Sequence, residues 1–117
     1  MPQRIQLSRV KGWRMPENTV KVDRSTRWGN PFTVTELLDA GYDGGKESAT
    51  IYCVNAFDDW LRGDDSNWMG EKSDRVRSEI LSRIGDLCGK NLACWCKPGT
   101  PCHADVLLEM ANREATP

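Results

Sequence analysis

The stretch NLACWCKPGTPCHADVLL, residues 91–108, decides the fold, because it predicts a strand, a tight turn and a helix in succession. Its first six residues are mostly apolar or sulfur-bearing, which favours a strand over 91–96. Two prolines and a glycine then interrupt regular structure at 97–101. From about Cys102 onward the apolar residues recur at helical spacing, so the last helix is expected to begin there.

The rest of the chain predicts two more strands and three more helices. Alternating apolar and polar residues indicate strands at 4–10 and 20–24, and helices are expected at 33–41, 48–62 and 73–84. The clearest helix, at 48–62, has an inner face made of Ala49, Cys53, Ala56, Phe57, Trp60 and Leu61. Strands joined through helices favour a small α/β fold, with a sheet of about three short strands and three to four flanking helices. Periodicity does not predict the order in which these strands pair.

Length and cysteine usage indicate an ordinary globular protein. A chain of 117 residues is most simply a single domain, 1–117, with one modest core. No apolar run is long enough to cross a membrane, and the N-terminal residues lack the apolar segment of a secretory signal. The expected location is therefore cytoplasmic, with no membrane partner. Five cysteines, an odd number, argue against a complete disulfide framework and fit a reducing compartment.

Charge is distributed unevenly along the chain. Residues 1–30 hold seven basic and two acidic side chains, a net charge of +5, whereas residues 31–117 carry a net charge of −6. A basic segment on an acidic body suggests a localised site for an anion rather than general affinity for nucleic acid. The alternative is a basic surface that is simply solvated.

The strand-to-helix junction holds three of the five cysteines and the only histidine. Side chains alternate along a strand, so Cys94 and Cys96 are expected on one face and Trp95 on the other. Cys102 and His103 lie at or near the start of the last helix. Four donor side chains therefore converge on one junction.

Three interpretations of this convergence stay open. In the first, Cys94, Cys96, Cys102 and His103 are the four ligands of a zinc ion, although their spacing differs from the usual paired C-x₂₋₄-C pattern. In the second, the helix N-terminus lowers the pKa of the Cys102 thiol, which acts as a nucleophile with His103 as general acid or base. In the third, the cysteines are buried and pack as small apolar side chains. Zinc is the one cofactor that the sequence suggests.

A second motif, RWGNPF, follows the second predicted strand. Gly29 allows a close approach of backbone to a ligand, and the Asn30 amide could read a base or a ribose hydroxyl. Trp28 offers a face for stacking, while Arg24 and Arg27 offer charge for a phosphate. The alternative is a loop whose aromatic side chains close the edge of the core.

Together, VKVDRSTRWGNPF (20–32) and GKNLACWCKPGTPCHADVLLEMAN (89–112) resemble the family called domain of unknown function 4326, which occurs in bacteria and their phages. The resemblance brings no established activity. The functional candidates that it implies are Arg27, Trp28, Gly29, Asn30, Pro31, Cys94, Cys96, Cys102, His103 and Asp105.

Two functions are compatible with these motifs. In the favoured one, both motifs share a cleft that binds a nucleotide-like or phosphorylated small ligand. Cys102 and His103 would then supply group-transfer or hydrolytic chemistry. The ligand-binding residues in this hypothesis are Arg24, Arg27, Trp28, Gly29, Asn30 and Asp105. The alternative is a zinc-stabilised module, of phage origin, that binds protein or, as a less favoured partner, nucleic acid. Because the sequence has no Walker loop, G-x-G-x-x-G or serine-triad signature, enzyme status stays open.

Overall fold

The protein has a central three-stranded sheet and four α-helices, in a computed structural model that describes residues 2–97 and 99–113. The strands are β1 (Arg4–Gln6), β2 (Thr19–Lys21) and β3 (Asn91–Cys94). The helices are α1 (Val34–Asp39), α2 (Gly45–Leu61), α3 (Glu71–Arg83) and α4 (His103–Arg113), with a short 3₁₀ helix at Ile84–Leu87 after α3. This architecture confirms the predicted small α/β fold.

The strand that leads into the cysteine-rich turn lies at the centre of the sheet. The strand order is β1-β3-β2, and both outer strands run parallel to β3. Pairing continues just past the outer strands, where the Leu7 amide donates to the Cys94 carbonyl at 2.7 Å and the Val22 amide donates to the Ala93 carbonyl at 2.8 Å. Because all three strands are parallel, their carboxyl ends meet at one edge of the sheet, where ligands of α/β proteins commonly bind.

The predicted strands are longer than the observed ones. The strand predicted at 4–10 ends at Gln6, and Val10 is largely exposed. The alternating residues after Gln6 lie in an irregular segment. The prediction was too long because side-chain pattern alone does not show where strand pairing ends. The strand predicted at 20–24 likewise ends at Lys21.

The predicted inner face of α2 is buried at all six positions. Trp60, near the C-terminal end of α2, is fully buried, and its Nε1–H donates to the Ser73 hydroxyl of α3 at 2.8 Å. Ser73 in turn donates to the Trp68 carbonyl at 2.9 Å. A buried indole thus has its one donor satisfied, which is the usual requirement for burying tryptophan. Among the described residues, no helix combines the length and apolar character needed to cross a bilayer.

Candidate metal centre

Three thiols lie together at the carboxyl end of β3. The Sγ atoms of Cys94, Cys96 and Cys102 are all within 4.8 Å of one another. Cys94 ends β3, Cys96 follows two residues later on the same side, and Cys102 immediately precedes α4. The Cys102 thiol donates to the Cys94 sulfur at 3.3 Å, and both residues are buried. The strand, the turn and the helix therefore bring three sulfur donors to one point.

His103 adds a nitrogen beside this cluster. Its Nε2 lies 2.6 Å from the Val22 carbonyl oxygen, and its Nδ1 lies 3.7 Å from the Cys102 sulfur. A carbonyl oxygen only accepts, so Nε2 carries the proton, and in the neutral ring Nδ1 keeps a lone pair. Burial lowers the pKa of His103, which keeps the ring neutral at neutral pH. His103 is thus held in the tautomer that can coordinate a metal through Nδ1.

The thiols of the cluster differ in their proton affinity. Hydrogen bonds from Cys102 and Cys94 lower the pKa of Cys96, which is half-buried. The guanidinium charge of Arg4 lowers it further. The pKa of Cys102 is raised by its hydrogen bonds with Cys94 and Cys96 and by burial, because its proton is shared within the cluster. The first thiolate of the cluster is therefore Cys96.

Arg4 of β1 holds the turn between the second and third cysteines. Its Nη1 donates to the Thr100 carbonyl at 2.7 Å and its Nη2 to the Lys97 carbonyl at 2.8 Å. Nη1 also pairs with Asp105 Oδ2 at 2.9 Å, so this predicted ligand-binding carboxylate has a partner inside the protein. Sequence reasoning missed Arg4. Its only signal was a basic residue in a short strand, and that strand lies far from the cysteine motif along the chain.

The RWGNPF loop lies against the core. Trp28 is only 7% exposed and belongs to the main hydrophobic cluster. Asn30 is 6% exposed, and its amide donates to the Cys53 carbonyl at 3.0 Å and accepts from the Phe32 amide at 2.9 Å. The Asn30 carbonyl accepts from Arg24 Nη1 at 2.9 Å. Trp28, Asn30 and Arg24, which the sequence predicted to bind a ligand, therefore make contacts within the protein.

The remaining predicted ligand-binding residues of the loop also have intramolecular partners. A Cβ on Gly29 would lie 2.6 Å from the Arg24 Cα, so the close backbone approach at this glycine is to the protein's own chain. Arg27 Nη1 lies 3.5 Å from Glu79 Oε1 of α3. The loop follows β2 directly after Val22, whose carbonyl orients His103.

A groove opens beside Cys96, between the first half of α2 and the turn after β3. Its volume is about 380 Å³, and its lining residues are Glu47, Thr50, Ile51, Cys96, Thr100 and Pro101. Cys94 and Cys102 are almost fully buried, whereas Cys96 is half-buried. Access to the cluster from solvent is therefore through Cys96.

The donor set fits a tetrahedral ion. Zn–S bonds of about 2.3 Å in a tetrahedron place neighbouring sulfurs about 3.8 Å apart, with sulfur–nitrogen separations slightly shorter. The Cys102–Cys94 distance of 3.3 Å and the Cys102–His103 distance of 3.7 Å are close to these values. The three thiols can thus hold a metal. Nδ1 of His103 contacts Cys102 but does not belong to the group of donor atoms within 4.8 Å of one another, so the ring would have to move to become a fourth ligand.

Comparison with known proteins identifies a family. No curated protein and no solved structure gives a significant match. A family model described as Domain of unknown function (DUF4326) matches residues 5–113. This range includes both motifs and the helical middle of the chain. The predicted resemblance is therefore confirmed, and the chain belongs to the domain of unknown function 4326 family.

Proposed function

We propose that the protein is a zinc-binding domain in which Cys94, Cys96, Cys102 and His103 hold one ion. The observation that carries this proposal is the grouping of three Sγ atoms within 4.8 Å of one another. Thiolates and a neutral imidazole are the ligands that zinc takes in four-coordinate structural sites. Two of the thiols, Cys94 and Cys102, are buried, and zinc binding would displace the proton of each ligating thiol.

The setting of His103 supports its place as the fourth ligand. Metal-binding histidines usually donate their second ring N–H to a carbonyl or carboxylate, which fixes the tautomer and the ring orientation. The Val22 carbonyl accepts such a bond here at 2.6 Å. Phe57 packs edge-on against the imidazole, with ring centroids 5.6 Å apart, and limits its rotation. These two contacts support His103 as the proposed fourth ligand.

The proposed role of the ion is to reinforce the junction of elements that already pack together in the core. The ligands come from the end of β3, the following turn and the start of α4, and His103 links them to β2 through Val22. A small domain gains folding free energy from metal binding, because its ligands are not assembled in the unfolded chain. Five free cysteines fit a reducing compartment, and we include the cytoplasm in the proposal on that basis.

Metal analysis of matched cysteine variants tests this function. The purified protein should contain one zinc per chain, and Cys102→Ser should lose it. Cys88→Ser is the control, because Cys88 is exposed and lies outside the cluster. A Cys102→Ser protein that keeps as much zinc as Cys88→Ser would contradict the proposal.

The groove beside Cys96 favours a second candidate function, the binding of a small ligand with thiol-assisted chemistry. A nucleotide-like ligand is the class that the sequence suggested, but the charged residue in the groove lining is Glu47, which does not favour an anion. Here Cys96 takes the reactive position that the sequence suggested for Cys102, because it is the cluster thiol that lines the groove. Iodoacetamide should then modify Cys96 first without prior metal removal, and a nucleotide should slow the reaction. Labelling that requires a chelator, with no effect of any nucleotide, would favour the zinc site alone.

A further inference from the structure

A second surface lies on the opposite side of the strand end from the thiols. Trp95 stands between Cys94 and Cys96 in sequence, and its side chain is 40% exposed. The indole Nε1–H donates to Asp23 Oδ2 at 2.9 Å, which fixes the edge of the ring. The Arg9 guanidinium carbon lies 4.5 Å from the ring centroid, a cation–π contact. An oriented aromatic ring therefore lies at the surface with a cation over one of its faces.

The segment between β1 and β2, whose Arg9 contacts Trp95, carries more exposed aromatic and basic groups. Residues 9–18 are all exposed, and Trp13, at 36%, is among the exposed large apolar side chains. The segment carries Arg9, Lys11 and Arg14 against the single acidic residue Glu17. None of these three cations forms an ion pair with another described residue.

We propose that Trp95, Arg9 and the exposed segment 9–15 form a binding surface for single-stranded nucleic acid. Proteins bind single strands by stacking bases on aromatic side chains while basic groups contact the phosphates, and arginine adds cation–π contacts. Trp95 and Trp13 supply the flat faces here, and Lys11 and Arg14 supply charge that forms no ion pair with a carboxylate in the described part of the chain. The side-chain contacts of Trp95 with Arg9 and Asp23 involve no proposed zinc ligand, although Trp95 stands between two of those ligands in the chain.

The fixed orientation of Trp95 favours nucleic acid over an anionic bilayer. A side chain that enters the headgroup region must extend its apolar body away from the protein. Trp95 instead has its Nε1 edge tied to a carboxylate that also pairs with Lys21 at 3.6 Å. A ring held by its edge offers a face to a base more readily than it inserts into lipid.

Fluorescence anisotropy with labelled oligo(dT) and oligo(rU) of about 12 nucleotides tests the proposal. The wild-type protein should bind, and affinity should fall steeply between about 50 and 200 mM salt. Trp95→Ala should weaken binding about five-fold or more, the loss of one stacked base. Tyr52→Ala is the matched control, because Tyr52 is an aromatic residue of similar exposure on α2. A double variant, Lys11→Ala with Arg14→Ala, should reduce the salt dependence.

Three results would overturn the proposal. One is no binding of either oligonucleotide at the lower salt concentration. Another is equal affinity of Trp95→Ala and Tyr52→Ala. The third is binding only to vesicles of anionic phospholipid, which would identify a membrane surface instead. Zinc content is measured on each variant, so oligonucleotide binding by a zinc-free wild-type protein would reject the metal centre and leave this surface standing.

Discussion

The two motif segments, the RWGNPF loop and the cysteine–histidine junction, are equally conspicuous in sequence but differ in what their polar atoms contact. In the loop, the Asn30 amide and the Arg24 guanidinium bond to backbone groups of the protein. At the junction, the donors contact one another, with Cys102 between the Cys94 sulfur and the His103 ring. The three sulfurs at the junction contact one another and could hold a metal ion, whereas the polar groups of the loop are already satisfied by backbone.

Loss of a cluster thiol should have the largest effect, because it removes the ion as well as a buried contact. Cys94→Ala should lower the free energy of unfolding by more than about 4 kcal/mol and abolish zinc binding. Thermal denaturation followed by circular dichroism, together with metal analysis, measures both. Cys88→Ala is the control and should melt like the wild-type protein. If Cys94→Ala melts at the same temperature as Cys88→Ala, the junction has a structural role like that of the loop and holds no ion.

A methyl group at Gly29 should lower the free energy of unfolding by less than the loss of a cluster thiol, and it should leave zinc binding unchanged. Its Cβ would lie 2.6 Å from the Arg24 Cα, a backbone contact that a rotamer change cannot relieve. Gly29→Ala should lower the free energy of unfolding by about 2–4 kcal/mol in urea denaturation. Gly85→Ala is the control, because a Cβ at Gly85 would have no described atom outside its immediate neighbours within 4 Å. A fully stable Gly29→Ala protein would show that the loop is not closely packed.

Asn30→Ala tests whether the loop is scaffold or ligand site. The change removes a donor to the Cys53 carbonyl and an acceptor for the Phe32 amide, both shielded from water. The free energy of unfolding should fall by about 2–3 kcal/mol while zinc stays at one per chain. Unchanged stability in urea denaturation would argue that the amide serves a ligand, as the sequence suggested.

Asp23 precedes the RWGNPF loop and accepts a hydrogen bond from Trp95 of the junction. Its substitution should change the free energy of unfolding least. Burial raises its pKa, but hydrogen bonds from Ser25 and Trp95 and the charge of Lys21 outweigh this, so the pKa is lowered overall. The native state therefore favours the ionised carboxylate, and this stability is present above the unfolded pKa of about 3.9 and lost as pH falls through the lower folded value.

The matching measurement is the stability of Asp23→Asn across pH. At neutral pH the variant should be less stable than wild type by under about 1 kcal/mol, and the difference should disappear in acid. Urea denaturation with Trp fluorescence measures this. A difference that persists at the lowest pH would mean that Asp23 acts through packing rather than charge.

The fold class and the sulfur cluster could be predicted from sequence, but the contacts that orient the site could not. Helical spacing on α2 and alternation around Trp95 are local properties, so they predicted the buried face and the grouping of Cys94 and Cys96. The strand order, the Arg4 contacts with the turn and the Val22–His103 bond join residues far apart in the chain. Such pairings leave no periodic signal in the sequence. For the same reason, the sequence could not decide whether Trp28 stacks on a ligand or packs in the core.

Zinc K-edge X-ray absorption of the purified protein tests the central claim most directly. A shell of three sulfurs at about 2.3 Å and one nitrogen at about 2.0 Å is the predicted result. A folded protein without zinc, or an ion surrounded only by oxygen and nitrogen, would contradict it.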